Sequence, residues 1–168
     1  MSAINRFYPY AFRNMRPKPD RSVRNGFTAT LLRGDLPVAN IDAGNVEDPD
    51  QIDIEFISEA EQEAFIRFSA ARMSEEDRAF SNFTDETAPV NEPLDADEAF
   101  IRLLAEDTYH SLRLAKICET STLFALPGDH KNQWRQVDAP YRAALATAIR
   151  RQHPEAVILN ERLSAAAG

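Results

Sequence analysis

The chain has 168 residues, 43% of them hydrophobic, with one cysteine and a formal net charge of −8. That length can bury a core, and a single cysteine excludes an internal disulfide or a cysteine-rich zinc site. No apolar run approaches the about 18 residues of a membrane helix, and the N-terminal stretch has no apolar signal-peptide core, so a reducing cytoplasm is the expected setting.

The charge is unevenly spread. Residues 1–25 carry six Arg or Lys against Asp20, residues 46–64 carry eight acids and no base, and residues 80–99 carry six acids and no base. Two base-free acidic blocks disfavour nonspecific nucleic-acid binding and favour a basic partner.

Residues 1–25 read as a basic aromatic N-terminal arm. Pro9, Pro17 and Pro19 break any helix there, while Phe7, Tyr8, Tyr10 and Phe12 are too apolar for a free linker. The preferred reading packs these rings on the domain or on a second copy, which would make the arm a route to a homo-oligomer. The alternative is a nucleic-acid-binding module, with arginines on phosphates and rings stacked on bases.

Residues 26–161 read as a single α+β domain, with a C-terminal tail at 162–168. Strands at 27–32 and 36–41 flank Arg33-Gly34-Asp35, a hairpin turn despite its likeness to an adhesion tripeptide. Residues 52–57 alternate, placing Ile52, Ile54 and Phe56 on the core face and Asp53 and Glu55 outward. Ser58-Glu59-Ala60-Glu61 is a capping box. It opens a helix to about Arg72, with Ala64, Phe65, Phe68 and Ala71 inward. Ser74-Glu75-Glu76-Asp77 can start a further turn, and residues 81–94, with Pro89 and Pro93, read as an acidic loop.

A long helix then runs from Asp95 to Cys118. Its expected buried stripe is Ile101, Leu104, Ala105, Thr108, Leu112 and Ala115, with Asp107 and His110 in solvent. A strand at 121–126, the turn Pro127-Gly128-Asp129, a strand at 133–137 and a helix follow. Asp138 or Ala139 caps that helix, Pro140 lies in its first turn, and Tyr141, Ala144, Leu145, Ala148 and Ile149 form its apolar stripe. Trp134, Phe124 and Leu145 are expected in one cluster. Residues 156–159 begin a last strand or a short helix. The order β-β-β-α-α-β-β-α implies a largely antiparallel sheet with helices packed on one face.

The five glycines never cluster into a phosphate-binding loop, and no histidine has a second histidine or a cysteine at i, i+4. His130 reads as an exposed turn residue and Cys118 as a small buried hydrophobe. Asp48, Asp50, Asp53 and Glu55 have the look of a nuclease core, but that chemistry needs a lysine two residues past the second acid, and Ile57 stands there. An EF-hand would need glycine at its sixth position, where Asp53 stands. No catalytic residue, cofactor or metal is expected, and the chain reads as a non-enzyme. The expected partner-binding residues are Glu47, Asp48, Asp50, Asp53, Glu55, Glu59 and Glu63, converging from consecutive elements on one patch.

Two patterns carry a resemblance. Phe27-x-Ala29-x-Leu31 opens the hairpin; Thr122-Leu123-Phe124-x-Leu126-x-Gly128-Asp129 and Trp134-Arg135-x-Val137-x-Ala139-Pro140-Tyr141 form the C-terminal motif. Together they resemble a loose class of small proteins of bacteriophages and other mobile elements. The resemblance implies a bacterial cytoplasm and an accessory role, and it carries over no active-site residue. With the acidic blocks, it leads to an expected function: an inhibitor or adaptor that binds a basic partner. One form of this is an anti-CRISPR or anti-restriction protein that mimics nucleic acid.

Overall fold

The computed structural model describes residues 6–19, 26–44, 48, 51–74, 95–130 and 133–166. The expected turn after Ser74 and the acidic loop at 81–94 lie outside them. The backbone forms two compact units, divided within one helix between Thr108 and Tyr109. Both are α+β, and both sheets are antiparallel.

The first unit has a four-stranded sheet in sequence order: β1 (Tyr10–Pro17), β2 (Phe27–Arg33), β3 (Leu36–Ala43) and β4 (Ile52–Phe56). The turn between β2 and β3 places Gly34 at φ 61°, a conformation that glycine adopts without steric cost. Strand alternation sends Phe27, Ala29, Leu31, Ala39, Ile41 and Ile52 to one face, where all are buried. Helix α1 (Glu59–Arg72) covers that face with Phe65, whose ring lies 5.6 Å from Phe56 and 5.4 Å from Phe100. Ser58 caps α1, accepting from the Glu61 N–H at 3.3 Å. The reciprocal half of the box is replaced by an ion pair, because the Glu61 carboxylate takes Arg33 at 2.6 Å instead. Arg33 is therefore tied back to the fold, which leaves no freely presented adhesion tripeptide.

The arm supplies β1. Phe7 and Tyr10 are buried, and Tyr10 sits 5.1 Å from Phe65 and 5.0 Å from Phe68. Phe12 packs 5.7 Å from Phe27. Of the four arm aromatics only Tyr8, 69% exposed, could stack on a base. The three prolines that exclude a helix are compatible with an edge strand, where a missing N–H can face away from the ladder.

Helix α2 (Ala96–Cys118) is buried on more than a stripe in its first half: Phe100, Ile101, Leu103 and Leu104 are all inside. Its second half is amphipathic at most, and two expectations fail there. Leu112 is 52% exposed. His110 is half-buried rather than solvated, and its Nε2 is enclosed without a hydrogen-bond partner among the described residues.

The second unit centres on β5 (Thr122–Ala125), flanked by β6 (Arg135–Val137) and β7 (Val157–Ile158). Helices α3 (Ala143–Gln152) and α4 (Leu159–Ala166) complete it, so residues 156–159 supply both a strand and a helix start, and the expected tail is helical through Ala166. Pro140 precedes α3 instead of lying in its first turn. The Thr122 hydroxyl donates to the Ala139 carbonyl at 2.9 Å and the Tyr141 hydroxyl donates to Glu161 at 3.0 Å, which holds residues 139–141 out of the helix. The apolar stripe shifts accordingly: Ala146 and Ile149 are buried, Ala144 and Ala148 exposed. The expected Trp134–Phe124–Leu145 cluster is not the core, since all three are only half-buried; the large buried apolar side chains are Leu123, Ile149, Ile158 and Leu159 instead.

Asn160 is the residue that ties this unit together, and nothing in its local sequence marks it. It is 6% exposed. Its Nδ2 donates to the carbonyls of Cys118 (3.1 Å) and Ser121 (2.9 Å), and its Oδ1 accepts from the Leu123 N–H at 2.9 Å. One side chain thus joins α4 to the end of α2 and to β5. The C-terminal motif has an equally physical explanation. Gly128 takes φ 94° in the turn, and the Asp129 carboxylate accepts from the Leu126 N–H at 2.8 Å and from Arg135 at 2.9 and 3.1 Å.

Candidate functional site: the open face of the first sheet

The face of the first sheet opposite α1 is polar and exposed. Register places its side chains in two rows that cross all four strands. One row reads Arg16–Thr28–Asp42–Asp53, and the other Arg13–Thr30–Asn40–Glu55. Residues directly opposed in an antiparallel pair share a face, so each row is a real neighbourhood. A shallow depression of about 680 Å³ lies over it, lined by Asn14, Arg16, Thr28, Asp42, Asp53 and Glu55 among others.

The charges are segregated. Arg13 and Arg16 sit on β1, uncharged hydroxyls and an amide occupy the middle, and carboxylates occupy β3 and β4. Strands lie about 4.8 Å apart, so roughly 14 Å of backbone separates the two charged borders. Lys18 reaches from beyond β1 to Asp42 and to the Gly44 carbonyl. Asp53 accepts from the Gln51 side chain at 2.8 Å, but among the described residues neither Asp53 nor Glu55 has a cationic partner. Asp42 and Asp53 are directly opposed, an arrangement that costs stability between like charges.

The two borders differ as strand edges. On β1, the register slips between Arg13 and Arg16; Asn14 and Met15 oppose Ala29, and Asn14 takes φ 56°. This is a bulge, and with Pro17 and the flanking cations it blunts the edge against further pairing. β4 has no bulge and no proline, and among the described residues no strand pairs with its outer edge. The Gly44 N–H donates to Gln51 at 2.7 Å and the Ile57 N–H to Val38 at 3.0 Å. By the alternation of antiparallel bonding, Asp53 and Glu55 bond to β3, while the backbone groups of Ile52, Ile54 and Phe56 point outward.

The expected seven-carboxylate patch is divided. Asp53 and Glu55 face outward on the open sheet face, and Asp48 is exposed beside β4. Glu59 and Glu63 are also exposed, but they belong to α1, which packs on the other face, and Glu63 pairs with Arg67 at 3.5 Å. Glu47 and Asp50 lie outside the described residues. Asp42 joins the patch although the sequence reading left it out; its alternation with Ile41 and Ala43 was the available signal.

Hydrogen bonds from Arg135 and from the Leu126 N–H hold the Asp129 carboxyl down at about 2. Burial pushes the Cys118 thiol up, against thiolate reactivity. Among the described residues no three His, Cys, Asp or Glu side chains are grouped to hold a metal ion, and no helix is long and apolar enough to cross a membrane. Comparison with protein-family models, with curated proteins and with solved structures finds no match.

Proposed function

We propose that this is a non-enzymatic binding protein, an inhibitor or adaptor, that docks a basic protein partner on the acidic half of its open sheet face. The observation that carries the reading is the convergence of Asp42, Asp53 and Glu55 on one exposed face, two of them without a counter-ion among the described residues. Solubility alone needs no such grouping. A solubilising surface intersperses charges of both signs, whereas like charges placed directly opposite cost stability and require another reason. The arginines across the same face also shape the reading. They favour an oriented protein contact over mimicry of a uniform phosphate backbone, because a nucleic-acid-binding groove would repel the β1 border. Action against a host-defence complex, in a phage or plasmid setting, is supported only by the resemblance of the C-terminal motif.

The test is capture of partners from bacterial lysate by the wild type and by the Asp53→Lys, Glu55→Lys double variant. Both substitutions are exposed and leave the apolar face untouched, so the variant should match the wild type in circular dichroism. The captured basic partner should bind the variant at least roughly tenfold more weakly, and added salt should slow its association with the wild type. A partner that binds both proteins equally would remove this face from the function.

A further inference from the structure

We infer that the partner engages β4 as an added strand: an extended segment with alternating basic and apolar residues, hydrogen-bonded to the outer edge of β4. The inference rests on the reading of the acidic half as a docking surface and specifies how it is used. Three observations lead to it. The backbone groups of Ile52, Ile54 and Phe56 point away from β3 and meet no strand among the described residues. On the inner face Ile54 and Phe56 are only half-buried, so apolar area remains at this border. On the outer face Asp53 and Glu55 have no cationic partner among the described residues.

An antiparallel strand added here places residues opposite Ile52, Ile54 and Phe56 in hydrogen-bonded pairs. Their side chains turn to the inner face and complete the apolar border. The residues between them fall opposite Asp53 and Glu55 in non-hydrogen-bonded pairs, where side chains approach most closely. Lysine or arginine is the complementary choice there. Specificity then follows from alternation, and affinity from main-chain bonds. A second copy paired through its own β4 is disfavoured, because each copy would bring Asp53 and Glu55 against the other's carboxylates. A second copy paired through β1 meets the bulge at Asn14 and Met15.

The probe is a labelled peptide of about nine residues alternating lysine and valine, followed by fluorescence anisotropy on the full chain. Three controls share its composition: one with lysines and valines in separate blocks, one N-methylated on the valines, and one N-methylated on the lysines. The alternating and the lysine-methylated peptides should bind alike, since the lysine N–H groups face away from β4. The blocked and valine-methylated peptides should bind at least roughly tenfold more weakly, and Glu55→Lys should weaken the alternating peptide to a similar degree. Equal binding of blocked and alternating peptides, lost in the double lysine variant, would overturn strand addition while leaving the acidic docking surface in place. No binding of the alternating peptide would also overturn it. Self-association of the protein that is abolished by Ile54→Pro would assign the edge to a second copy instead.

Discussion

Replacing Asn160 by alanine should unfold the second unit more readily than any surface change in it. The side chain satisfies three backbone groups: the Leu123 N–H and the Ser121 carbonyl in buried bonds, and the Cys118 carbonyl in a part-buried one. Alanine removes the partner and leaves all three. An unsatisfied buried group costs about 1–3 kcal/mol, with the lone N–H near the top of that range and the carbonyls, which have two lone pairs, lower. A loss of roughly 2–4 kcal/mol follows, or about 5–15 °C in melting temperature for a chain of this size. Urea unfolding followed by far-ultraviolet circular dichroism reads the change in midpoint. Asn160→Asp adds a sharper test. The carboxylate keeps the acceptor for Leu123 but faces two carbonyls with a negative charge, so its folded pKa is raised above the unfolded value. Stability of that variant, relative to wild type, should be greatest below the unfolded carboxyl range and fall as pH rises through the folded pKa. An Asn160→Ala protein with a wild-type midpoint, or an Asn160→Asp protein without that pH dependence, would refute the anchoring role.

Phe65→Ala should cost about 3–5 kcal/mol, because this fully buried ring meets Tyr10, Phe56 and Phe100, and a calorimetric melt would measure it. Removing residues 1–17 should destabilise the first unit instead of trimming a free arm, since Phe7 and Tyr10 are core residues; loss of cooperative unfolding checks this. The Asp129 carboxyl is held at about 2, below its ordinary 3.8. Its contribution is present above the ordinary value and disappears as pH falls from there through about 2, so Asp129→Asn should flatten the acid limb of thermal stability in that window.

Much of the fold was legible because local signals agreed with tertiary demands. The alternation of Ile52–Phe56 set the faces of β4, and Ser58 capped α1 where the box predicted. The errors have particular causes. The stripe expected for α3 starts about one turn early because Pro140 reads locally as a first-turn residue, whereas the helix begins at Ala143. Pro140 is instead held outside the helix by the bonds of its neighbours Ala139 and Tyr141 to Thr122 and Glu161, partners distant in sequence. The strand in the arm was hidden by its prolines and bulge, which weaken any period-two pattern. Asn160 was invisible because an amide in a short helix gives no sign that three backbone groups converge on it.

The candidate site was half legible for a similar reason. Net charge by sequence block groups residues that are close along the chain, and on that basis Glu59 and Glu63 joined Asp53 and Glu55. A sheet groups residues by register instead. Asp42 lies opposite Asp53, and Arg16 lies in the same row, although these residues come from three separate strands. The same register explains why the arginines of β1 leave the carboxylates of β4 unpaired among the described residues: Thr28 and Asp42 stand between Arg16 and Asp53, Thr30 and Asn40 stand between Arg13 and Glu55, and Lys18 of the arm reaches Asp42 on β3. A partner that simply carried positive charge would gain at β4 and lose at β1. One that presents its cations along a single extended edge gains at β4 alone. The separation of the two borders therefore selects for a narrow, strand-like contact over a broad basic surface.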